Sequence, residues 1–458
     1  MTPLRINIAL AAIAAAGVGF YFITAAQVNP NIVACIFVGA TVILAWFDIR
    51  YLFIGWALFA PYFAQYGAES DTGIASNVSH NFYVPFIAIV SVIVLIFRGK
   101  KLRFGKEDLL LLAFVAYALL SSFYATKGRY EDVRGIYLAY LVPFFLYTIV
   151  KNLDIDARLI RAMAFAFIFH VVVLIIMGLI EYQTGLSLYT KVLRFADVGR
   201  GRIAAPFGSP ISLGVFVPLV FLFIFQAYKL QLLPRFVVWI SGAVCAVLII
   251  LTFTRSVWLG AFLTFVYILY RTSDDGAAKV MRLAGFVAAA VVLVLTLTLA
   301  SPDIQQRLAG EENVKFRVVM AQASVNMFFD KPIIGWGAGT FDDFSDRYLF
   351  DALGVYIVKD TSHVTLLTLL AELGVLGTLP LLLFIYYNLS FKHLRMSDLS
   401  AEDRLIVAVN VGGIISFAIN AFLIDFRFYS ISYSWFFINL GFIQNVYRQN
   451  LVLDNETV

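Results

Sequence analysis

One histidine of this sequence has the residue type and setting for proton transfer. His363 follows Thr361 and Ser362 and directly precedes a long apolar run. It is therefore predicted to lie at the start of a membrane helix, with those two residues as N-cap candidates. A helix N-terminus disfavours imidazolium and its free amide groups attract phosphate. The pattern predicts a neutral base beside an anion, although a lone histidine at a membrane surface is also compatible with a structural role.

Arginines are the residues that could hold such an anion. Arg200 and Arg202 lie in Gly-Arg-Gly-Arg at 199–202, within a basic loop, 183–210, that is predicted to face outward. A basic outer loop opposes the usual orientation bias. The glycines would let backbone and guanidinium groups approach an anion closely. The alternative interpretation, strongest for Lys191 and Arg194, is snorkelling to lipid phosphates.

Two further arginines have comparable settings. Arg255 lies in Thr254-Arg255-Ser256, a short turn between two long apolar runs. An arginine near membrane depth is costly unless it is paired or hydrated, which makes it a functional candidate; the alternative is an interfacial arginine screened by headgroups. Arg317 lies further along the chain in a large polar interruption. By their settings, Arg200, Arg202 and Arg255 form the predicted cation set.

The elements that must position these residues are membrane helices. The 458 residues are 61% hydrophobic and 14% charged, against roughly 50% and 25% in soluble proteins. Long unbroken apolar runs indicate transmembrane helices and exclude a barrel. The predicted fold is an all-α polytopic bundle of 12 to 14 helices. The apolar segments lie near 6–26, 31–47, 50–66, 82–97, 108–125, 133–150, 158–182, 211–228, 235–253, 256–270, 280–300, 363–388, 405–424 and 430–447.

The distribution of basic residues predicts the orientation. The connection 98–107 carries five Lys and Arg residues, which is typical of a cytoplasmic loop. With an even number of helices, both termini are then cytoplasmic and the candidate residues face outward. The two cysteines, Cys35 and Cys245, lie inside apolar runs and are interpreted as small buried hydrophobes. The net charge of +5 does not indicate a nucleic-acid partner in a membrane protein.

The longest polar interruption divides the predicted membrane domain into residues 1–300, an outer loop at 301–362 and residues 363–458. Apolar residues at helical spacing predict an amphipathic helix over 313–329, ended by Asp330-Lys331-Pro332. Glycines at 335, 337 and 339 predict a close-packed turn, and the P-loop lysine is missing. Asp342, Asp343 and Asp346 lack the spacing of a calcium loop, so no metal is predicted.

The order of short motifs resembles the O-antigen ligase and polymerase superfamily. The motifs are Arg-x-x-x-Pro-Phe-Gly-Ser-Pro at 202–210, Thr-Arg-Ser at 254–256, Phe-Arg at 316–317, Pro-x-x-Gly-x-Gly at 332–337, and His363 followed by Leu-x-x-Leu-x-Glu-x-Gly-x-x-Gly at 367–377. The chain departs from the family pattern at Ser209-Pro210, where Asn-Pro is common, and at Val364, where Asn is common. The resemblance spans roughly residues 200–380.

The resemblance implies an inverting glycosyltransferase of the bacterial inner membrane that needs no metal or other cofactor. Its donor would be a glycan linked to undecaprenyl diphosphate, and its acceptor a hydroxyl at the periplasmic face. By motif, Arg200, Arg202, Arg255 and Arg317 would hold the diphosphate, and His363 would take or orient the acceptor proton. Glu372, nine residues after His363, falls on the opposite face of a straight helix and is expected to brace the bundle.

The acceptor distinguishes the members of such a family. A polymerase accepts the next lipid-linked repeat, a ligase accepts lipid A-core and an oligosaccharyltransferase accepts a protein hydroxyl. The long outer segment and the apparent fourteen helices favour a polymerase of surface polysaccharide, with a flippase or chain-length regulator as further partners. A transporter of lipid-linked glycans is the alternative from another class, although it would be expected to show midplane charges and inverted repeats.

Overall fold

A computed structural model describes residues 48–63, 83–97, 104–125, 136–185, 202–272, parts of 280–287, 312–353, 364–390 and 398–456. These residues are helical, with no strand among them. The helices are α1 (Arg50–Phe63), α2 (Tyr83–Phe97), α3 (Lys106–Ser121), α4 (Val142–Asn152), α5 (Ala157–Thr184), α6 (Pro210–Lys229), α7 (Arg235–Leu251), α8 (Arg255–Thr272), α9 (Glu312–Asp330), α10 (Phe341–Leu353), α11 (Thr365–Leu389), α12 (Ala401–Ala421) and α13 (Ser430–Glu456).

The predicted all-α polytopic membrane fold is confirmed. Four described helices, α5, α6, α11 and α12, are long and apolar enough to cross a bilayer, and α2 and α7 provide shorter apolar helices. The predicted segments 6–26 and 31–47, and most of 280–300, lie outside the described residues. The predicted boundaries at residues 301 and 363 stay predictions.

The chain forms two compact units, which are described separately. The first comprises residues 1–103, 145–254 and 444–449. Its centre is α5, which packs against α1, α6 and α7. Inside this unit the hydroxyl of Tyr62 lies 2.8 Å from Nδ1 of His170, whose Nε2 lies 3.0 Å from the Ala57 carbonyl. This buried histidine therefore has a structural role, because both ring nitrogens are engaged inside the helix packing.

The second unit comprises residues 104–144, 255–443 and 450–458. In it α8 packs closely against α12, because small residues line their contact. A Cβ atom on Gly260 would meet the Asn420 amide and the Ser416 carbonyl, at 2.8 and 3.2 Å. Thr264 donates a hydrogen bond of 3.1 Å to the Gly412 carbonyl. Small residues permit such close helix contact in membranes, and this packing fixes the helix that begins at Arg255.

The polar interruption contains the predicted helix, α9, followed by α10. Both pack against each other and against α11. Two apolar residues of this helix, Val318 and Phe329, are exposed, at 59% and 70%. The buried residues of α9 instead include Met320, Ala323 and Met327, which contact α10 and α11 residues. Methionine and alanine repeat at i, i+3 and i+7 here, and this second stripe is the one that other helices cover.

Candidate functional site

Two arginines of the second unit interact as like charges. Arg255 is the first residue of α8 and is exposed, whereas Arg317 lies in α9 and is half-buried. Burial, and then the charge of Arg255, lower the pKa of Arg317. Among the described residues no carboxylate forms an ion pair with Arg317. Burial and a nearby like charge therefore both oppose the positive charge of Arg317.

The first unit holds Arg202 in a defined orientation. Its Nε donates a hydrogen bond to the Thr252 carbonyl at 3.1 Å, and its Nη2 donates to the Thr254 hydroxyl at 2.8 Å. The amide of Ile203 also donates to the Leu251 carbonyl at 3.1 Å. The two sequence motifs around Arg202 and Thr254 therefore meet in space.

A buried carboxylate fixes the backbone that follows Arg202. Oε2 of Glu181 accepts hydrogen bonds from the amides of Ala204 and Ala205, at 3.0 and 2.7 Å. Ala205 has φ of 47°, and Phe253 on the neighbouring turn has φ of 46°. Left-handed conformations are uncommon for such residues and persist only where surrounding contacts impose them. The backbone at 202–205 is therefore held in one conformation by contacts with Glu181 and the neighbouring turn.

In the second unit the glycine-rich turn completes an interrupted helix. Helix α11 leaves helical geometry at Gly374, with φ of 59° and ψ of −167°. The amides of Val375 and Leu376 donate to the carbonyls of Pro332 and Ile333, at 2.8 and 3.0 Å. In return, two turn amides donate to α11 carbonyls: Trp336 to Ala371 at 3.1 Å and Gly337 to Glu372 at 2.7 Å. The turn therefore satisfies backbone groups that the interruption exposes.

This junction requires glycine on both sides. Gly335 has φ of 70°, and a Cβ there would collide with the carbonyl of Glu372. A Cβ on Gly374 would collide with the carbonyl of Ile333. Glycine alone combines positive φ with this approach of two backbones. The glycines are therefore explained by packing, and the predicted close-packed turn is confirmed.

Glu372 lies at the centre of this junction and is 1% exposed. Its carboxylate accepts hydrogen bonds from the amides of Gly339 and Phe341, at 2.8 and 3.1 Å. Phe341 is the first residue of α10, so Glu372 occupies the anion-binding position at that helix N-terminus. The arrangement confirms that Glu372 braces the bundle. Its carboxylate also compensates the partial positive charge at the start of α10.

Arg427 pairs with Glu372 from the segment between α12 and α13. Its Nη1 contacts Oε2 of Glu372, and its Nη2 lies 2.6 Å from Oδ2 of Asp425. Tyr140 accepts a hydrogen bond of 3.3 Å from the same guanidinium. Burial opposes the charge of Arg427, but the carboxylates of Asp425 and Glu372 raise its pKa. This arginine is neutralised within the protein.

The same segment also anchors the beginning of α11. The hydroxyl of Thr365 donates to the Ile424 carbonyl at 2.9 Å and accepts from the Phe426 amide at 3.1 Å. Thr365, Glu372, Asp425 and Arg427 together will be called the Glu372 clip. The clip connects two points of α11, about two turns apart in helix geometry, to one short segment.

The predicted site residues have different outcomes. Arg202, Arg255 and Arg317 lie as described above, whereas Arg200 and His363 lie outside the described residues. Sequence reasoning missed Arg427 and Asp425. The signal was present, because Asp425-Phe426-Arg427 is a charged sequence between two apolar helices, the same feature that identified Arg255.

Comparison with known proteins bears on these motifs. Residues 236–382 match the sequence model of a family described as O-Antigen ligase. The chain resembles the O-antigen ligase and polymerase superfamily. The matched segment contains Arg255, Arg317, the glycine-rich turn and Glu372, so the resemblance predicted from the motifs is confirmed over this part. A search of curated proteins found no match to the chain.

The family match and the fold together indicate a coarse function. The protein is a multi-pass membrane protein with a glycosyltransferase-like role in polysaccharide assembly. Substrates of that class are a lipid-linked glycan and an acceptor molecule, both handled in a membrane.

Proposed function

We propose that this protein transfers a glycan from undecaprenyl diphosphate to an acceptor hydroxyl at the periplasmic face of the inner membrane, with inversion at the anomeric carbon and without a metal. Both chain termini are cytoplasmic in this proposal. The acceptor is the next lipid-linked repeat, so the product is a growing surface polysaccharide. The single observation that supports the proposal most is the O-Antigen ligase family match over residues 236–382, which include Arg255 and the half-buried Arg317.

The chemistry explains why such a pair is useful. The acceptor oxygen attacks the anomeric carbon, and the bond from that carbon to the diphosphate oxygen breaks. The departing diphosphate gains one negative charge. Arg255 and Arg317 would stabilise this charge as it develops, and Arg200 and Arg202 are the further cations that the motifs assign to the diphosphate. His363 would accept the proton that the acceptor hydroxyl loses.

A ligase is the second candidate, and the family description favours it. Ligation and polymerisation share the donor, the bond broken and the charge that develops. They differ only in the acceptor, which would be lipid A-core for a ligase.

The test is transfer by purified protein in detergent, supplied with undecaprenyl-diphosphate-linked repeats and EDTA. Elongated lipid-linked glycans are expected from the wild type but not from His363→Ala or Arg317→Gln. Arg347→Gln is the matched control, because Arg347 is an exposed arginine of α10 outside the predicted cation set. Transfer only after lipid A-core is added would identify a ligase. Absence of transfer with every acceptor would overturn the proposal in favour of a transporter.

A further inference from the structure

The Glu372 clip joins parts of the second unit that are far apart in sequence. Arg427 and Glu372 are 55 residues apart, and Glu372 is 31 residues from the Phe341 amide that it binds. The side chains are buried: those of Glu372, Asp425 and Arg427 are 1%, 0% and 8% exposed. A buried arginine with two carboxylates is costly to assemble, so it is weak evidence for a stabilising role and can instead fix geometry.

The clip defines the ends of two helices. One end is the start of α10, where Glu372 accepts from the Phe341 amide. The other is the start of α11, where Thr365 bonds to both the Ile424 carbonyl and the Phe426 amide. Along the sequence, α10 and α11 flank residues 354–364, which include His363. The clip therefore anchors the start of α11, two residues after the proposed base in sequence, and the start of α10.

We propose that Thr365, Asp425, Arg427 and Glu372 act as positioning residues for the reaction, on the acceptor side. The inference rests on the proposed function. None of the four residues contacts the donor diphosphate in this proposal, because Arg427 is already neutralised by Asp425 and Glu372. Loss of the clip lowers kcat through misplacement of the start of α11 and leaves the donor KM unchanged. Loss of Arg317 lowers kcat/KM for the donor, because its guanidinium would both bind the diphosphate and stabilise the developing charge.

Thr365 offers the mildest way to open the clip. Thr365→Val keeps the shape of the side chain and removes both hydrogen bonds, whereas Thr365→Ser keeps the hydroxyl. Thr378→Val is the matched control, because Thr378 is a fully buried threonine of the same helix whose hydroxyl has no hydrogen-bond partner among the described residues. Thermal unfolding of each variant in detergent identifies any that fail to fold.

Steady-state transfer of lipid-linked glycan is the first measurement. Thr365→Val is expected to lower kcat by about ten- to a hundredfold, the scale of a small misplacement of reacting groups, with the donor KM within about twofold of wild type. Thr365→Ser and Thr378→Val are expected to retain wild-type kcat. The inference is overturned by a Thr365→Val protein with normal kcat, by a Thr365→Ser protein as impaired as Thr365→Val, or by an effect confined to the donor KM.

A second measurement is independent of activity. Spin labels at Phe422→Cys and Leu376→Cys, exposed positions of the second unit, report the distance between the clip segment and α11 in a chain with Cys35 and Cys245 replaced by alanine. A narrow distance distribution that Thr365→Val broadens or shifts supports positioning. An unchanged distribution overturns it. If wild-type protein transfers no glycan, the proposed function fails and this distance alone decides whether the clip positions α11.

Discussion

Arg317 and Arg427 belong to the same unit, yet their electrostatic environments are opposite. Arg317 is half-buried near Arg255, and the pKa of its guanidinium is lowered. Arg427 is buried against Asp425 and Glu372, and the pKa of its guanidinium is raised. The comparison teaches that an arginine near membrane depth has two uses. Arg427 neutralises carboxylates of the protein, whereas Arg317, in the proposed function, provides positive charge for a substrate anion.

The largest expected effect on stability comes from removing the Arg427 side chain that pairs with Glu372 and Asp425. Arg427→Gln leaves Glu372 and Asp425 buried without their cation, so it should lower the free energy of unfolding by about 3–5 kcal/mol. Thermal unfolding in detergent is the measurement, with Thr378→Val as the control that should match wild type. A fully stable Arg427→Gln protein would remove the distinction drawn between the two arginines.

The opposite result is expected for Arg317. Arg317→Gln relieves repulsion with Arg255, so its unfolding temperature should equal or exceed that of wild type. Its glycan transfer at low donor concentration should fall by about 10- to 100-fold, which corresponds to one charge-assisted contact of about 1.5–3 kcal/mol. Unfolding and transfer are measured on the same preparation. Destabilisation with unchanged transfer would assign Arg317 a structural role.

The junction between the glycine-rich turn and α11 lies beside Glu372, so its tolerance to substitution tests whether the surroundings of Arg427 are rigid. Gly374→Ala adds a methyl group that collides with the Ile333 carbonyl at positive φ, and it should destabilise the protein by about 1–3 kcal/mol. Gly285→Ala is the control, since no atom of the described residues lies within 4 Å of its added methyl group. Equal unfolding temperatures for the two variants would show that the junction tolerates rearrangement.

The smallest effect is expected at the rim of the same junction. The hydroxyls of Tyr117 and Tyr124 both donate to the Ile334 carbonyl, at 2.9 and 2.8 Å. Tyr117→Phe should lower the free energy of unfolding by less than about 1 kcal/mol, because the Tyr124 hydroxyl still donates to that carbonyl. The double variant should cost more than the sum of the single variants. Simple additivity in a double-mutant cycle would show that the two hydroxyls do not substitute for each other.

Local features of this fold could be predicted from the sequence. Apolar runs predicted the described membrane helices, and the spacing of glycines predicted the turn before α10, because both depend on neighbouring residues alone. The setting of Arg255 between two apolar runs predicted the beginning of α8 equally well. Each of these features is encoded within about twenty consecutive residues.

Long-range features could not be predicted in the same way. The pairing of Arg427 with Glu372 depends on how separate helices pack, and one sequence does not contain that information. The face of Glu372 was inferred for a straight helix, but α11 is interrupted at Gly374 and the turn at 332–337 inserts there. On α9 two apolar stripes compete, and only tertiary packing selects Met320, Ala323 and Met327.

The central claim is that Arg255 and Arg317 form an anion site whereas Arg427 does not. The most direct measurement is the shift in unfolding temperature that inorganic pyrophosphate causes, compared at constant ionic strength with chloride. If the two arginines bind pyrophosphate, the unfolding temperatures of wild type and Arg347→Gln should rise with pyrophosphate concentration. Arg317→Gln should show no such rise. Equal stabilisation of Arg317→Gln and wild type by pyrophosphate would show that Arg317 is not part of an anion site.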